Sequence, residues 1–447
     1  MMTIKQFEDK PLAHYSYAIV SGDKMALVDP ARDPKPYYRF AEEHNAQIIA
    51  VFETHPHADF ISSHLQIKKE AGATIYTSKM VGADYPHTPF DEGDTLVMGE
   101  VTFSAINTPG HSPDSITIHA IDSDNNHVIF SGDTLFIGDV GRPDLREKAG
   151  NMRAKREELA KAMYQTITHK YNALPDTTIV YPAHGAGSLC GKNLSSEASS
   201  TLGNERMGNW AFKKQTEKEF VAQILADQPF IPSYFGFDVD INKRGADNFE
   251  SSVADVPFLI GSAAINKDIL VVDTRDASDF KKGHLPGAIN IMACDEDDKI
   301  ETWLGAIVQP EEPFYLVVSS ITKRQAVLER IGKIGYEKQI KAIITPIKGF
   351  KSTSDQLDME AFKKRPGNYT IVDIRNESEV NEGKYFENAI NIPLNELRAD
   401  IDDLPKDKPI VVHCAGGYRS AAGTSIVARN ITEVPVFDLG ENVEEFK

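Results

Sequence analysis

Two passages in the second half of the chain return about a hundred residues later. Val272-Asp273-Thr274-Arg275 reappears as Val372-Asp373-Ile374-Arg375, and Ala288-Ile289-Asn290-Ile291 as Ala389-Ile390-Asn391-Ile392. An apolar run at 315–318 has its counterpart at 409–412. A period this long means two tandem domains, because the units of a solenoid are shorter. Each repeat reads as strand, helix, strand, helix, which predicts a parallel sheet with crossover helices. The expected boundary between them lies in 347–356.

The first half has a different texture. Short apolar runs at 18–21, 25–28, 47–52, 74–77, 101–107, 116–120, 128–131 and 178–181 read as strands. Helical spacing of apolar residues appears at 155–170, and a shorter helix is expected at 36–44 with Pro36 in its first turn. This alternation argues for a layered α/β sandwich. It fades near residue 245, after a turn-rich stretch at 237–247. A chain of 447 residues accommodates about three domains.

Metal-binding residue types cluster just after the strands. Thr54-His55-Pro56-His57-Ala58-Asp59-Phe60 follows the run at 47–52. Thr108-Pro109-Gly110-His111 puts an imidazole on a Pro-Gly turn, Gly132-Asp133 a carboxylate at a strand end, and Pro182-Ala183-His184 another imidazole. Such donors suit zinc or iron, and strand ends hold ligands rigidly.

These residues resemble the metallo-β-lactamase superfamily, whose ligand motif is His-x-His-x-Asp-His followed by later His, Asp and His. The matching positions are His55, His57, Asp59, Phe60, His111, Asp133 and His184. Phe60 is a departure: a phenyl ring cannot coordinate, so a one-metal centre is expected. The persulfide dioxygenases of this superfamily are similar. That resemblance implies one Fe(II) per chain, held by His55, His111 and Asp133, with three coordination positions left open. His57, Asp59 and His184 would then orient ligands or water. The competing reading makes them ligands of zinc, as in the hydrolases. Gly141-Arg142-Pro143-Asp144 also resembles the dioxygenases. Arg142 there could grip a substrate carboxylate bidentately, or brace a loop through Asp144.

The chain has three cysteines, Cys190, Cys294 and Cys414, too few for a disulfide framework. Cys414 opens the loop Cys414-Ala415-Gly416-Gly417-Tyr418-Arg419, between the strand at 409–412 and a predicted helix at 421–429. Loop N–H groups and a helix N-terminus favour a thiolate or a persulfide there, and Arg419 adds positive charge for sulfite or thiosulfate. This loop and the repeated Val-Asp-x-Arg framework resemble the rhodanese family, in which such a cysteine carries sulfane sulfur. The first repeat instead has Val318-Ser319-Ser320 and no cysteine. A serine hydroxyl is too poor a nucleophile for this chemistry, so that repeat is expected to be catalytically silent. Cys294 is away from the loop and is read as incidental. Cys190, close to His184 in sequence, is a candidate sulfur relay, the other reading being an inert thiol.

The whole chain thus resembles a persulfide dioxygenase–rhodanese fusion: a sandwich at 1–245, a silent rhodanese-like domain at 246–350, and a rhodanese domain at 351–447. The resemblance implies O2-dependent oxidation of a low-molecular-weight thiol persulfide to sulfite, coupled to thiosulfate formation or its reverse, in persulfide detoxification. The alternative is a zinc thioester hydrolase of glyoxalase-II type fused to a sulfurtransferase. A net charge of −18 disfavours nucleic acid and anionic membranes as partners. The apolar runs are too short to span a bilayer. Met1-Met2-Thr3-Ile4-Lys5 opens no signal peptide, so a cytoplasmic location is expected. A homo-oligomer is compatible with the sequence.

Overall fold

The computed structural model describes residues 2–146, 155–259, 265–345 and 352–447. The chain forms two compact units, Met1–Ser251 with Lys333–Gly335, and Ser252–Gly332 with Tyr336–Lys447.

In the first unit two six-stranded sheets face each other. One runs in chain order: Thr3–Asp9, His14–Ser21, Lys24–Val28, Gln47–Phe52, Thr74–Thr77, Thr88–Pro89. The other orders Ser200–Thr201, Ile179–Pro182, His127–Gly132, Ile116–Ile121, Val101–Asn107 and Thr95–Met98. Successive strand side chains point to opposite faces. Tyr17, Ile19, Val28 and Phe52 therefore meet Phe103, Ile118 and Phe130 of the other sheet. Their neighbours Ala18, Val20, Leu27 and Val51 pack outward on Tyr37, Ala41 and Ile67 of the helices Lys35–Glu43 and His64–Ala71. The second sheet is covered by Ala160 and Met163 of Arg156–Gln165 and by Phe220 and Ile224 of Glu217–Leu225. Burial on both faces explains why the central strands read as unbroken apolar runs.

The second unit contains two parallel sheets. Five strands order as Phe258–Leu259, Ile340–Ile344, Phe314–Val317, Leu270–Asp273 and Ala288–Asn290, all pairs parallel. Four order as Ile390–Asn391, Thr370–Asp373, Ile410–His413 and Val436–Asp438, again all parallel. The repeat in the sequence is thus a repeat in space, with Asp273 and Asp373 ending the central strands.

Three expectations need correction. The stretch at 237–247 is mostly the helix Tyr234–Arg244, not turns. Gly, Asp and Asn favour turns, but here buried partners satisfy Asn242 inside the helix. Strands Thr3–Asp9 and Thr95–Met98 were not foreseen; their alternating half-exposed residues form no apolar run. The helix expected over 155–170 ends at Gln165 and continues as a wider turn over Thr166–Lys170. The boundary expected in 347–356 falls largely on residues 346–351, outside the described residues. No helix among the described residues is long and apolar enough to cross a membrane.

Candidate metal centre and cysteine cradle

The strands Gln47–Phe52, Val101–Asn107, His127–Gly132 and Ile179–Pro182 each deliver a donor just past their last residue. His55, His57, Asp59, His111, Asp133 and His184 are all buried, none more than 5% exposed. Asp133 is the hub. Its Oδ1 accepts from His184 Nδ1 at 2.7 Å. Its Oδ2 faces His111 Nε2 at 3.5 Å and His55 Nε2 at 3.7 Å. Thr54 Oγ1 donates to Asp29 Oδ2 and lies 3.1 Å from His55 Nδ1. Nδ1 is then the protonated nitrogen of His55, and Nε2 presents a bare lone pair to the centre. His57 Nε2 lies 3.4 Å from Asp29 Oδ1, and His184 Nε2 lies 2.9 Å from Asp59 Oδ2.

Burial opposes ionisation of Asp133, yet His184, His111 and His55 outweigh it and hold the carboxyl well below the usual range. His184 is pushed well above the usual imidazole range: Asp133 and Asp59 overcome its burial. Burial, reinforced by His57, pushes His55 well below that range, and burial also lowers His111.

Do these residues fit a metal? His55 Nε2, both nitrogens of His57, Asp59 Oδ1 and Asp133 Oδ2 are buried without a hydrogen-bond partner. A buried polar atom left unpaired costs about 1–3 kcal/mol, and a shared cation removes that cost for several at once. Ligand atoms of His55, His57 and Asp133 lie within 4.8 Å of one another, as do those of His57, Asp59 and His184, and of Asp133, His184 and Cys190. The His/Asp set is a metal-binding site, and the donors are of the kind that holds zinc or iron.

Phe60 is buried against this set, its ring centroid 4.5 Å from His57, 3.9 Å from His14 and 6.5 Å from His184. His14 went unnoticed in the sequence. It is buried, and its Nε2 has no hydrogen-bond partner. Burial, then His184 and His57, push its pKa well below the usual value. Asn242 was missed as well. From the helix Tyr234–Arg244 its amide donates to the carbonyls of His57 and Phe60 at 2.9 and 2.8 Å and accepts from the Ser62 N–H at 2.8 Å. It thus fixes the metal loop from almost two hundred residues away in sequence. No local signal marks either residue.

Arg142 is corrected by its surroundings. It is 1% exposed and grips Asp144 through Nε and Nη2 at 2.7 Å each. Its remaining N–H groups go to the carbonyls of Leu189, Phe230 and Pro229. With all five donors engaged it braces loops and has none left for a substrate. Gly141 is required beside it, since a Cβ there would run into the Asp133 carbonyl. Burial, aided by Asp59 and Asp133, pushes the Cys190 thiol well above its usual range.

In the last repeat, Cys414 follows the strand Ile410–His413 and is 1% exposed. The Gly417 N–H donates to its Sγ at 3.1 Å. Gly417 adopts φ 102° and caps the helix Tyr418–Asn430. Ala415 and Gly416 complete the loop between strand and cap. Arg419 makes a bidentate pair with Glu379 at 2.6 and 2.7 Å, so its charge is already matched there. Tyr418 donates to the Met292 carbonyl at 3.0 Å, in the first repeat. In that repeat Val317 pairs with Asp273 as His413 pairs with Asp373. The register therefore puts Val318, rather than a serine, where Cys414 stands, because the strand Phe314–Val317 ends one residue earlier than the apolar run at 315–318 suggests.

A family model described as the metallo-beta-lactamase superfamily matches residues 9–184. One described as the rhodanese-like domain matches twice, over 262–353 and 358–443. A probable hydroxyacylglutathione hydrolase of Schizosaccharomyces pombe is 31% identical over 41% of this chain and 70% of its own length. A crystal structure described as a metallo-beta-lactamase from Staphylococcus aureus is 32% identical with a TM-score of 0.68. It covers 77% of this chain and 99% of its own, a span longer than the N-terminal unit. The crystal structure of ETHE1 from Myxococcus xanthus is 24% identical over 54% of this chain and 98% of its own, with a TM-score of 0.46.

Proposed function

Because the chain belongs to the metallo-beta-lactamase superfamily and carries two rhodanese-like domains behind that unit, we propose that it oxidises a low-molecular-weight thiol persulfide to sulfite with O2 and transfers sulfane sulfur at Cys414. The observation that carries this reading is Phe60. Its ring lies against His57 and His14, where the binuclear hydrolases of the superfamily place a ligand imidazole. A centre short of that donor favours one metal with open positions.

Fe(II) held by His55, His111 and Asp133 would supply the redox and Lewis-acid chemistry of the oxidation. The balance is RSSH + O2 + H2O giving RSH + HSO3⁻ + H⁺. The protein's part is orientation. His184 takes Oδ1 of Asp133, which leaves Oδ2 turned to His55 and His111. Thr54 does the same for His55 by engaging Nδ1. Asn242 fixes the backbone of the His57 loop.

At Cys414 the thiolate attacks the outer sulfur of a second persulfide, releasing RSH and forming Cys-S-SH. Sulfite then takes that sulfur as thiosulfate and returns the thiol. The Gly417 N–H stabilises the charged sulfur in both steps. The division of labour assigns 1–245 to oxidation, 246–350 to a silent domain and 351–447 to transfer, with Cys190 as a relay candidate. The implied setting is cytoplasmic persulfide detoxification.

A second reading, zinc-dependent thioester hydrolysis, draws on the close grouping of His57, Asp59 and His184. One experiment separates them. Protein loaded anaerobically with Fe(II) is given glutathione persulfide or coenzyme A persulfide, and O2 uptake, sulfite and thiosulfate are followed in wild type and Cys414→Ala. Uptake with sulfite from the variant and thiosulfate from wild type is expected. No uptake with either persulfide, together with thioester cleavage by zinc-loaded protein, transfers the assignment to the hydrolase.

A further inference from the structure

Arg142 has no donor to spare, yet two other cations stand beside the metal centre. Arg146 is 2% exposed and faces Asp114, a near neighbour of His111 in sequence, with Nη2 at 3.0 Å and Nη1 at 3.5 Å from the carboxylate. Ser112 Oγ donates to the same carboxylate. The charge of Arg146 acts on His55 and His111, and it acts on Lys243 as well.

Lys243 follows Asn242 on the helix Tyr234–Arg244, and Asn242 holds the carbonyls of His57 and Phe60. The lysine is 4% exposed. Its carbonyl accepts from the Asp84 N–H at 2.9 Å, but its ammonium has neither an ion pair nor a hydrogen bond among the described residues. Arg146 Nε is enclosed without a partner, whereas Lys243 Nζ keeps an opening to solvent. Asp84 and Asp240 are exposed and act on the ammonium from beyond ion-pair distance. Asp114 is already taken by Arg146 and Ser112. Burial, then Arg146, lower the pKa of Lys243.

A lysine is almost never fully buried without a partner, because its ammonium is strongly hydrated and gives up that water only to an anion. Here a second cation adds repulsion. Two cations and one carboxylate leave one positive charge unmatched, in a chain whose net charge is −18. The protein's own carboxylates do not pair with it, so the missing anion comes from outside. A persulfide brings its sulfur to the metal and leaves the rest of its carrier outside the donor set. An ammonium takes a carboxylate or a phosphate as a point charge. We propose that Lys243, backed by Arg146, binds an anionic group, a carboxylate or a phosphate, on the thiol carrier of the persulfide. This deepens the persulfide reading and rests on it.

Three persulfides separate the sources: that of glutathione, which carries carboxylates, that of coenzyme A, which carries phosphates, and that of neutral N-acetylcysteamine. O2 uptake by the full-length, Fe(II)-loaded protein is followed in wild type, Lys243→Met and Lys243→Arg. Lys243→Met keeps the apolar stem and strands no partner, so the variant should fold. It should raise KM for a charged persulfide roughly tenfold, the loss of a charge-assisted hydrogen bond. Its kcat should stay within about twofold, as when binding shared by ground and transition states is lost. The neutral persulfide should not notice the change, and Lys243→Arg should restore KM. The persulfide that responds identifies the group as carboxylate or phosphate. An unchanged KM for both charged persulfides, or an equal rise for the neutral one, overturns the proposal. If no persulfide is consumed, the oxidation reading fails by itself. Calorimetric titration of glutathione, coenzyme A and N-acetylcysteamine into the metal-loaded protein then decides the site. Binding of a charged thiol that Lys243→Met weakens roughly tenfold upholds it. Binding indifferent to the variant, or no binding of either charged thiol, overturns it.

Discussion

The two rhodanese-like repeats share a skeleton and differ in one loop. In both, the aspartate ending the central strand holds an arginine two residues on, with a shortest contact of 2.6 Å. That arginine also donates to a glycine carbonyl eight residues further, Gly283 or Gly383. In both, an asparagine on the neighbouring strand caps the Asp and Arg carbonyls. Past the next strand they part. The last repeat has Cys414 and a helix that starts at Tyr418. The first has Val318, then a 3-10 turn Ile321–Lys323 before the helix Arg324–Gly332. The repeated motif is thus scaffold, and the chemistry lies in the four residues the motif does not include.

The largest expected effect tests that separation. Cys414→Ser should lower sulfur transfer on the order of a thousandfold or more, as loss of a nucleophile does, with unfolding free energy nearly unchanged. Adding Val318→Cys to that variant should not restore transfer, since no early helix N-terminus meets the new thiol. Recovery of transfer would mean that the skeleton alone suffices.

A second test treats the skeletons as equivalent. Arg275→Met and Arg375→Met each strand a buried aspartate, at a cost of about 3–5 kcal/mol. Denaturant unfolding should give similar losses for both. A loss confined to one repeat would show that the likeness is only geometric.

Gly417→Ala comes next. Its φ of 102° suits glycine, and a Cβ would meet the Glu441 nitrogen at 3.1 Å. A destabilisation of about 1–3 kcal/mol is expected, with transfer falling as the N–H shifts away from Sγ. Thermal unfolding and the transfer assay read the two separately.

The smallest effect compares thiols. Burial of its sulfur, then Asp298, Asp276 and Asp295, push Cys294 up to about 11. A raised thiol pKa means little thiolate at neutral pH. Iodoacetamide labelling of Cys294 should therefore be slow at pH 7 and rise about tenfold per pH unit until near 11. Mass spectrometry of labelled peptides checks it. A plateau near pH 8 would show an ordinary thiol.

Much of this molecule could be read in one dimension. The strands at 47–52, 74–77 and 101–107 appear with those bounds, because each is a short β-forming run, nearly unbroken and apolar at 47–52 and alternating at 74–77 and 101–107. His55, His111, Asp133 and His184 were legible because each follows such a run. The edge strand Thr3–Asp9, whose residues alternate in exposure, left no run to find.

Local sequence determined the elements, the repeat, the donor set and the lone cysteine, since each depends on neighbours along the chain. Only the tertiary structure decided how those residues are employed. Arg142 braces loops because the carbonyls of Leu189, Pro229 and Phe230, three distant groups, take the donors that neighbouring Asp144 leaves. Arg419 is matched by Glu379, forty residues earlier. Asn242 and His14 reach the metal loop from other elements. Val318 replaces the expected serine because strand pairing, not composition, sets the register. A side chain's role depends on which partners satisfy it, and most of those partners are remote in sequence and near only once the chain has folded.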